Sequence, residues 1–203
     1  MIKKEVITDL VQQGFNILKK NIMKYIYIDG GARIGESIEI LLDKREELKG
    51  CDSYLFECNP AHINTLNDIK FNNNNYNFII KNEALWVENV EKDFYLSIDR
   101  WGDLGCTLKP EKKELLDINN PIKVKCVDLS QFLKSFKDDE YIILKLDVEG
   151  AEYDILEHLI KEGTINKIKE LYVEFHDGFF NQNSSYLKKK LIDLNIKCDF
   201  NWM

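Results

Sequence analysis

The sequence predicts an α/β fold: a doubly wound, mostly parallel sheet with helices on both faces and a β-hairpin-like insert before the fourth strand. Three observations carry this. Tyr25, Ile26, Tyr27 and Ile28 are all aromatic or β-branched, which suits a strand buried on both faces. They run into Asp29-Gly30-Gly31-Ala32-Arg33-Ile34-Gly35, a tight turn that lets backbone approach a ligand. After it Ile34, Ile38, Leu41 and Leu42 recur at helical spacing, and later apolar runs repeat the strand–helix rhythm.

In chain order, Val6, Ile7, Leu10, Val11, Ile17 and Leu18 give residues 1–22 an amphipathic helix, weakened at Gly14. Strand one and a helix over 35–48 follow, with Glu46 and Glu47 in solvent. Strand two is Ser53 to Glu57, a helix covers 60–70, and strand three is Tyr76 to Ile80 after a polar Asn loop. Residues 92–128 break the rhythm. Two alternating stretches, 94–98 and 122–127, flank a loop in which Trp101 either stacks on a substrate or plugs the loop. Asp128 caps a helix starting at Leu129. Strand four is Tyr141 to Asp147 and strand five is Glu170 to His176. A helix over 184–194 and a last strand over 196–202 complete a single domain, 1–203.

Composition bounds the function. A net charge of -7 and a pI near 5.1 argue against nucleic acid as a partner. No apolar run reaches the ~20 residues of a membrane span, and the N-terminus does not read as a signal peptide. Cys51, Cys58, Cys106, Cys126 and Cys198 are odd in number and form no Cys-x-x-Cys pair. They read as small buried hydrophobes in a reducing, cytoplasmic setting.

The glycine turn alone allows a nucleoside, a dinucleotide or no ligand. A dinucleotide fingerprint needs glycine where Ala32 stands. Glu57, ending the neighbouring strand, suits the hydroxyls of a ribose. Glu83 and Ala84 follow strand three, where a base would lie. Strand periodicity then places Lys145 with Asp147, and Glu174 with His176, at the carboxyl ends of adjacent strands. Burying such charges is costly unless they pair. Three uses stay open. His176, Asp147 or Glu149 acts as a general base on a hydroxyl; Asp147, Glu149 and His176 hold a divalent metal; or Lys145 and Glu174 form a structural ion pair. Glu152 reads as a helix N-terminal acid, His62 as surface and His158 as a helix-face residue.

Four blocks in order, Ile28 to Ser37, Phe56 to Pro60, Leu144 to Glu152 and Leu171 to His176, resemble the FkbM-type methyltransferases, a branch of the class I S-adenosylmethionine-dependent enzymes. The resemblance implies a seven-stranded, Rossmann-like class I methyltransferase sheet and S-adenosylmethionine as cofactor. Asp29, Gly31 and Gly35 would hold its methionine part, with Ala32 and Arg33 also cofactor-binding, Arg33 either approaching the cofactor carboxylate or standing exposed. Glu57 would hold the ribose, with Cys58 beside it as a further cofactor-binding residue; Glu83 and Ala84 would border the adenine, and Asp147 would lie where methyl donor meets acceptor. Lys145, Asp147, Glu149 and His176 would form the catalytic edge. The activity implied is O-methylation of a sugar or other small hydroxylated molecule. The alternatives are an RNA ribose 2′-O-methyltransferase and a non-catalytic cofactor- or partner-binding domain of the same fold. A nicotinamide dehydrogenase is disfavoured by Ala32. The chain departs from the family at Arg33, where a small polar residue is usual, and at Cys58, where proline is usual.

Overall fold

The computed structural model describes residues 23–98, 103–178 and 182–201. The expected helix over 1–22 and Trp101 lie outside them. Six strands form the main sheet: β1 (Tyr25–Gly30), β2 (Asp52–Phe56), β3 (Asn77–Lys81), β7 (Tyr141–Leu146), β8 (Ile168–Val173) and β9 (Lys197–Asp199). Their order is β3-β2-β1-β7-β8-β9, and every pairing is parallel. The chain crosses from β1 outward to β3 and then back to β7 on the other side of β1. The carboxyl ends of β1 and β7 therefore flank the switch point, where open sheets bind ligands.

Side chains alternate between two cores, as the two-residue strand period requires. Ile26, Ile28, Ile142, Leu144 and Leu146 face a core shared with helix residues, among them Ile155, Leu156, Leu187 and Leu191. Tyr27, Leu55, Phe78 and Ile143 face a second core with Ile38, Leu42 and Leu66. On the second face lies α1 (Ile63–Asn72). On the first lie α2 (Leu129–Lys134), α3 (Glu152–Lys161) and α4 (Ser185–Asp193). The doubly wound, Rossmann-like architecture is as the sequence predicts.

Several details differ. A continuous helix over 35–48 does not form. A wide turn at Ile38–Leu42, closed by Asp43 N–H donating to Ile38 O at 3.0 Å, is followed by a separate 3₁₀ turn at Glu46–Leu48. The break lies at Arg45, whose backbone is extended while its guanidinium donates two bonds to Glu170, at 2.9 and 3.0 Å. A buried ion pair here overrides local helix propensity. The insert is a small second sheet, not a simple hairpin. β4 (Ala84–Trp86), unexpected from sequence, runs parallel to β6 (Ile122–Asp128), and β5 (Val90–Phe94) runs antiparallel to it. The alternating stretch near 94–98 is thus shifted, with Tyr95 and Ser97 continuing as single bridges to Thr107 and Leu116. β8 starts earlier than expected and ends at Val173, leaving Glu174 and His176 beyond the strand. The main sheet has six strands among the described residues, not seven, and its last strand, β9, joins in parallel at the edge beside β8.

Candidate active site

The site grows from two neighbouring strand ends. Parallel register sets Asp29 beside Lys145. Both are buried, and the ammonium lies 3.1 Å from Asp29 Oδ1 and 3.6 Å from Asp147 Oδ2. It also donates to Gly31 O at 2.7 Å, pinning the glycine turn. Asp29 Oδ2 accepts from Tyr27 at 3.2 Å and from Ser37. Burial lowers the Lys145 pKa, but Asp29 and Asp147 outweigh it and hold the group above its ordinary value. Lys145 thus turns towards β1, whereas one of the three uses open from sequence pairs it with Glu174.

The turn needs its glycines for different reasons. Gly31 has φ +78°, and a Cβ there would meet Asp147 O at 1.9 Å. Gly35 has φ +89° and packs on Ile69 of α1, away from the strand ends. Arg33 is also left-handed, at φ 45°, a conformation small polar residues adopt most readily. Its N–H donates to Glu57 Oε2 at 2.8 Å, and its guanidinium pairs with Glu36 and, at 2.9 Å, with Asp103. Glu57 also accepts from Asn59 N–H at 2.6 Å. Burial raises its pKa against those two donors. His62, expected at the surface, is buried and stands 2.8 Å from Asp103. The insert loop supplies Asp103, which sequence alone does not connect to the turn.

A cleft of about 720 Å³, measured to its open mouth, runs over this edge. Among the expected residues, Gly31, Arg33, Glu57, Cys58, Glu83, Ala84, Asp147 and Glu149 line it. Leu85, Phe94 and Leu108 add an apolar end that sequence reasoning missed, since β4 was not recognised. A second cleft of about 800 Å³ shares Gly31, Arg33, Leu104, Asp147 and Glu149 with the first. Ala32, Lys145, Glu36 and Glu174 complete much of its wall. Asp29 lines neither cleft and sits behind the second through Lys145.

Behind the shared carboxylates stands His176, 8% exposed. Glu152 Oε1 accepts its backbone N–H at 3.0 Å and lies 3.0 Å from its Nδ1, while Glu152 Oε2 accepts Gly150 N–H at 2.8 Å. Glu152 is fully buried and orients the ring, more than the helix-end acid expected. The other nitrogen, Nε2, faces Glu149 at 3.4 Å and Asp147 and Glu174 at 3.9 Å. Burial pulls the imidazole pKa down, but bonds to Glu149 and Glu152 prevail and push it up to about 10. The ring is therefore a cation at neutral pH. Desolvation raises the Asp147 and Glu174 carboxyls. One ligand atom each from Asp147, Glu149 and His176 lies within 4.8 Å of the others, so this edge also has the span of a metal site. His158, on α3, sits 3.1 Å from Asp128, the carboxylate that caps α2, and belongs to that cap.

All five cysteines are free thiols. Among the described residues no helix is long and apolar enough to cross a membrane.

No curated protein and no solved structure matches the chain. The Methyltransferase FkbM domain family does, over residues 29–198, a span that takes in the glycine turn, Glu57, the insert and the whole Asp147–His176 edge. The chain belongs to the FkbM methyltransferase family.

Proposed function

We propose that the protein is an S-adenosylmethionine-dependent O-methyltransferase acting on a hydroxyl of a sugar or other small, uncharged molecule. The observation that carries this is that Asp147 and Glu149 line both clefts. One edge thus serves a ligand in the first cleft and an acceptor in the second. The first cleft fits the cofactor by the chemistry of its walls: a carboxylate, Glu57, placed for two hydroxyls, and an apolar end at Ala84, Leu85 and Phe94 for a flat base.

The cofactor supplies a methyl group already activated on a sulfonium. The chain's own residues have three tasks. Glu57 and the Gly31 turn bind, with Lys145 holding that turn in shape. The clefts orient the acceptor oxygen, which is most of what the reaction requires. Asp147 takes the hydroxyl proton, its raised pKa making it the better base. His176 is already protonated and stands behind the cleft walls. Its role is to keep Asp147 and Glu149 together by neutralising part of their repulsion.

The second cleft supports an uncharged acceptor. Glu36, Asp147, Glu149 and Glu174 face it, against Arg33 and Lys145, both engaged in ion pairs. A phosphodiester would meet an excess of negative charge, which weighs against RNA. A divalent metal held by Asp147, Glu149 and His176 is a second reading, favoured by their 4.8 Å span. It requires the imidazole to lose its proton, and on that reading transfer would fall on adding chelator and return with Mg²⁺.

Thermal-shift titration tests the cofactor. S-adenosylmethionine should raise the melting temperature and NAD should not. Stabilisation by NAD alone would overturn the reading.

A further inference from the structure

The turn that presents Asp147 and Glu149 has an unusual backbone. Glu149 has φ 52° and Gly150 has φ 98°, two successive left-handed residues between β7 and α3. Gly150 adopts this at no steric cost; a glutamate rarely does. Something outside the turn must favour it. Thr107, in the insert and 1% exposed, donates its hydroxyl to Glu149 O at 2.6 Å. The Thr107 hydroxyl oxygen in turn accepts Lys109 N–H at 3.0 Å, which leaves its proton for the Glu149 carbonyl. Thr107 is itself mounted rigidly. Its N–H and C=O both bond to Tyr95, at 3.0 and 2.8 Å, on the extension of β5. Three further contacts hold the insert to the main sheet's strand-end side: Asp103 to Arg33, Asp103 to His62, and Lys109 to Asp154 on α3 at 2.7 Å.

We propose that Thr107 is a positioning residue: its hydroxyl tethers the insert to the Glu149 carbonyl and so fixes the aim of the carboxylates shared by the two clefts. Thr107 lines neither cleft and touches no reacting atom. It acts through the Asp147–Gly150 turn. The insert is then part of the catalytic frame as well as a wall over the first cleft. The kinetic side of this proposal rests on the methyl-transfer reading; the structural side does not.

Thr107→Val keeps the shape and the β-branch but removes the hydroxyl, and Thr107→Ser keeps the hydroxyl. Two measurements separate the proposal from the reading beneath it. The first is amide hydrogen exchange across residues 147–151 in the ligand-free protein. Thr107→Val should speed it, and Thr107→Ser should leave it at the wild-type rate. The second is transfer of labelled methyl from S-adenosylmethionine to a panel of neutral monosaccharides, with cofactor affinity measured by calorimetry. Thr107→Val should lower kcat about tenfold or more while the cofactor Kd stays within about twofold, and Thr107→Ser should restore the rate. Unchanged exchange in Thr107→Val overturns the tether. So does a loss of kcat matched by an equal loss of cofactor affinity, which marks a merely structural role. If the wild type transfers no methyl group to any acceptor, the methyl-transfer reading falls and the exchange comparison still decides the tether.

Discussion

At the scale of single residues, the proposed function divides binding from chemistry between Glu57 and Asp147. Glu57 is locked by two backbone N–H groups, from Arg33 and Asn59, and so presents its carboxylate to the first cleft without having to reorganise. Glu57→Gln keeps the shape and loses the charge-assisted bonds to a ribose. It should weaken S-adenosylmethionine by roughly 10-fold for each such bond lost, at about 1.5 kcal/mol a bond, as read by calorimetry. An unchanged Kd would remove Glu57 from the site. Asp147→Asn should do the reverse, cutting turnover about 100-fold while affinity moves little. His176→Ala belongs with Asp147: it should lower turnover more than cofactor affinity, because it frees the carboxylates around Nε2 to repel one another. Equal or greater loss of affinity would place His176 in binding instead. The places of Asp29 at the end of β1, Gly31 in the turn and Glu57 just after β2 were legible in the sequence, because strand ends at a glycine turn have a fixed geometry, although Asp29 is buried and lines neither cleft. Asp103, His62 and Thr107 were not. Their partnerships join segments far apart in the chain, Asp103 with Arg33 and His62, Thr107 with Glu149, and no local pattern encodes such a meeting.

At the scale of elements, Glu170 shows how the edge of the sheet is fastened. It lies on β8 and is buried, with Arg45, Tyr141, Tyr172 and Lys197 all donating to its carboxylate. This ties the segment after β1 to β7, β8 and β9. Burial alone would raise the pKa, but the donors prevail and lower it to about 2. The ionised group therefore stabilises the fold above its unfolded pKa of about 4.5, and that stability is lost as pH falls from there to about 2. Glu170→Gln should cost on the order of 3 kcal/mol at pH 7, and the gap to wild type should close over that window, as measured by urea unfolding at several pH values. A constant gap would place the stabilisation outside the charge. The same cluster explains why the helix over 35–48 misreads. Its apolar spacing is helical, but Arg45 is drawn out of line to reach Glu170. β4 was missed for a different reason: three residues carry too little pattern, and its partner β6 is distant in sequence. The long branched runs of β1 and β7, buried on both faces, were plain from sequence because their burial demands such residues.

At the scale of the whole molecule, two sheets meet over one cleft system. The parallel sheet supplies the carboxylates through its strand ends, and the insert supplies a wall and a tether. Four carboxylates face the second cleft, against Arg33 and Lys145. Ligand binding should therefore tie the two parts together. Saturating cofactor at about 100 times its Kd should stabilise the protein by roughly 2.7 kcal/mol, a melting shift that Glu57→Gln reduces. The most direct measurement of the central claim is transfer itself. The protein, given S-adenosylmethionine labelled in its methyl group, should place the label on a hydroxyl of a neutral sugar or small polyol and leave RNA unlabelled. Label on RNA, or tightly bound cofactor with no label on any hydroxylated acceptor, would contradict it.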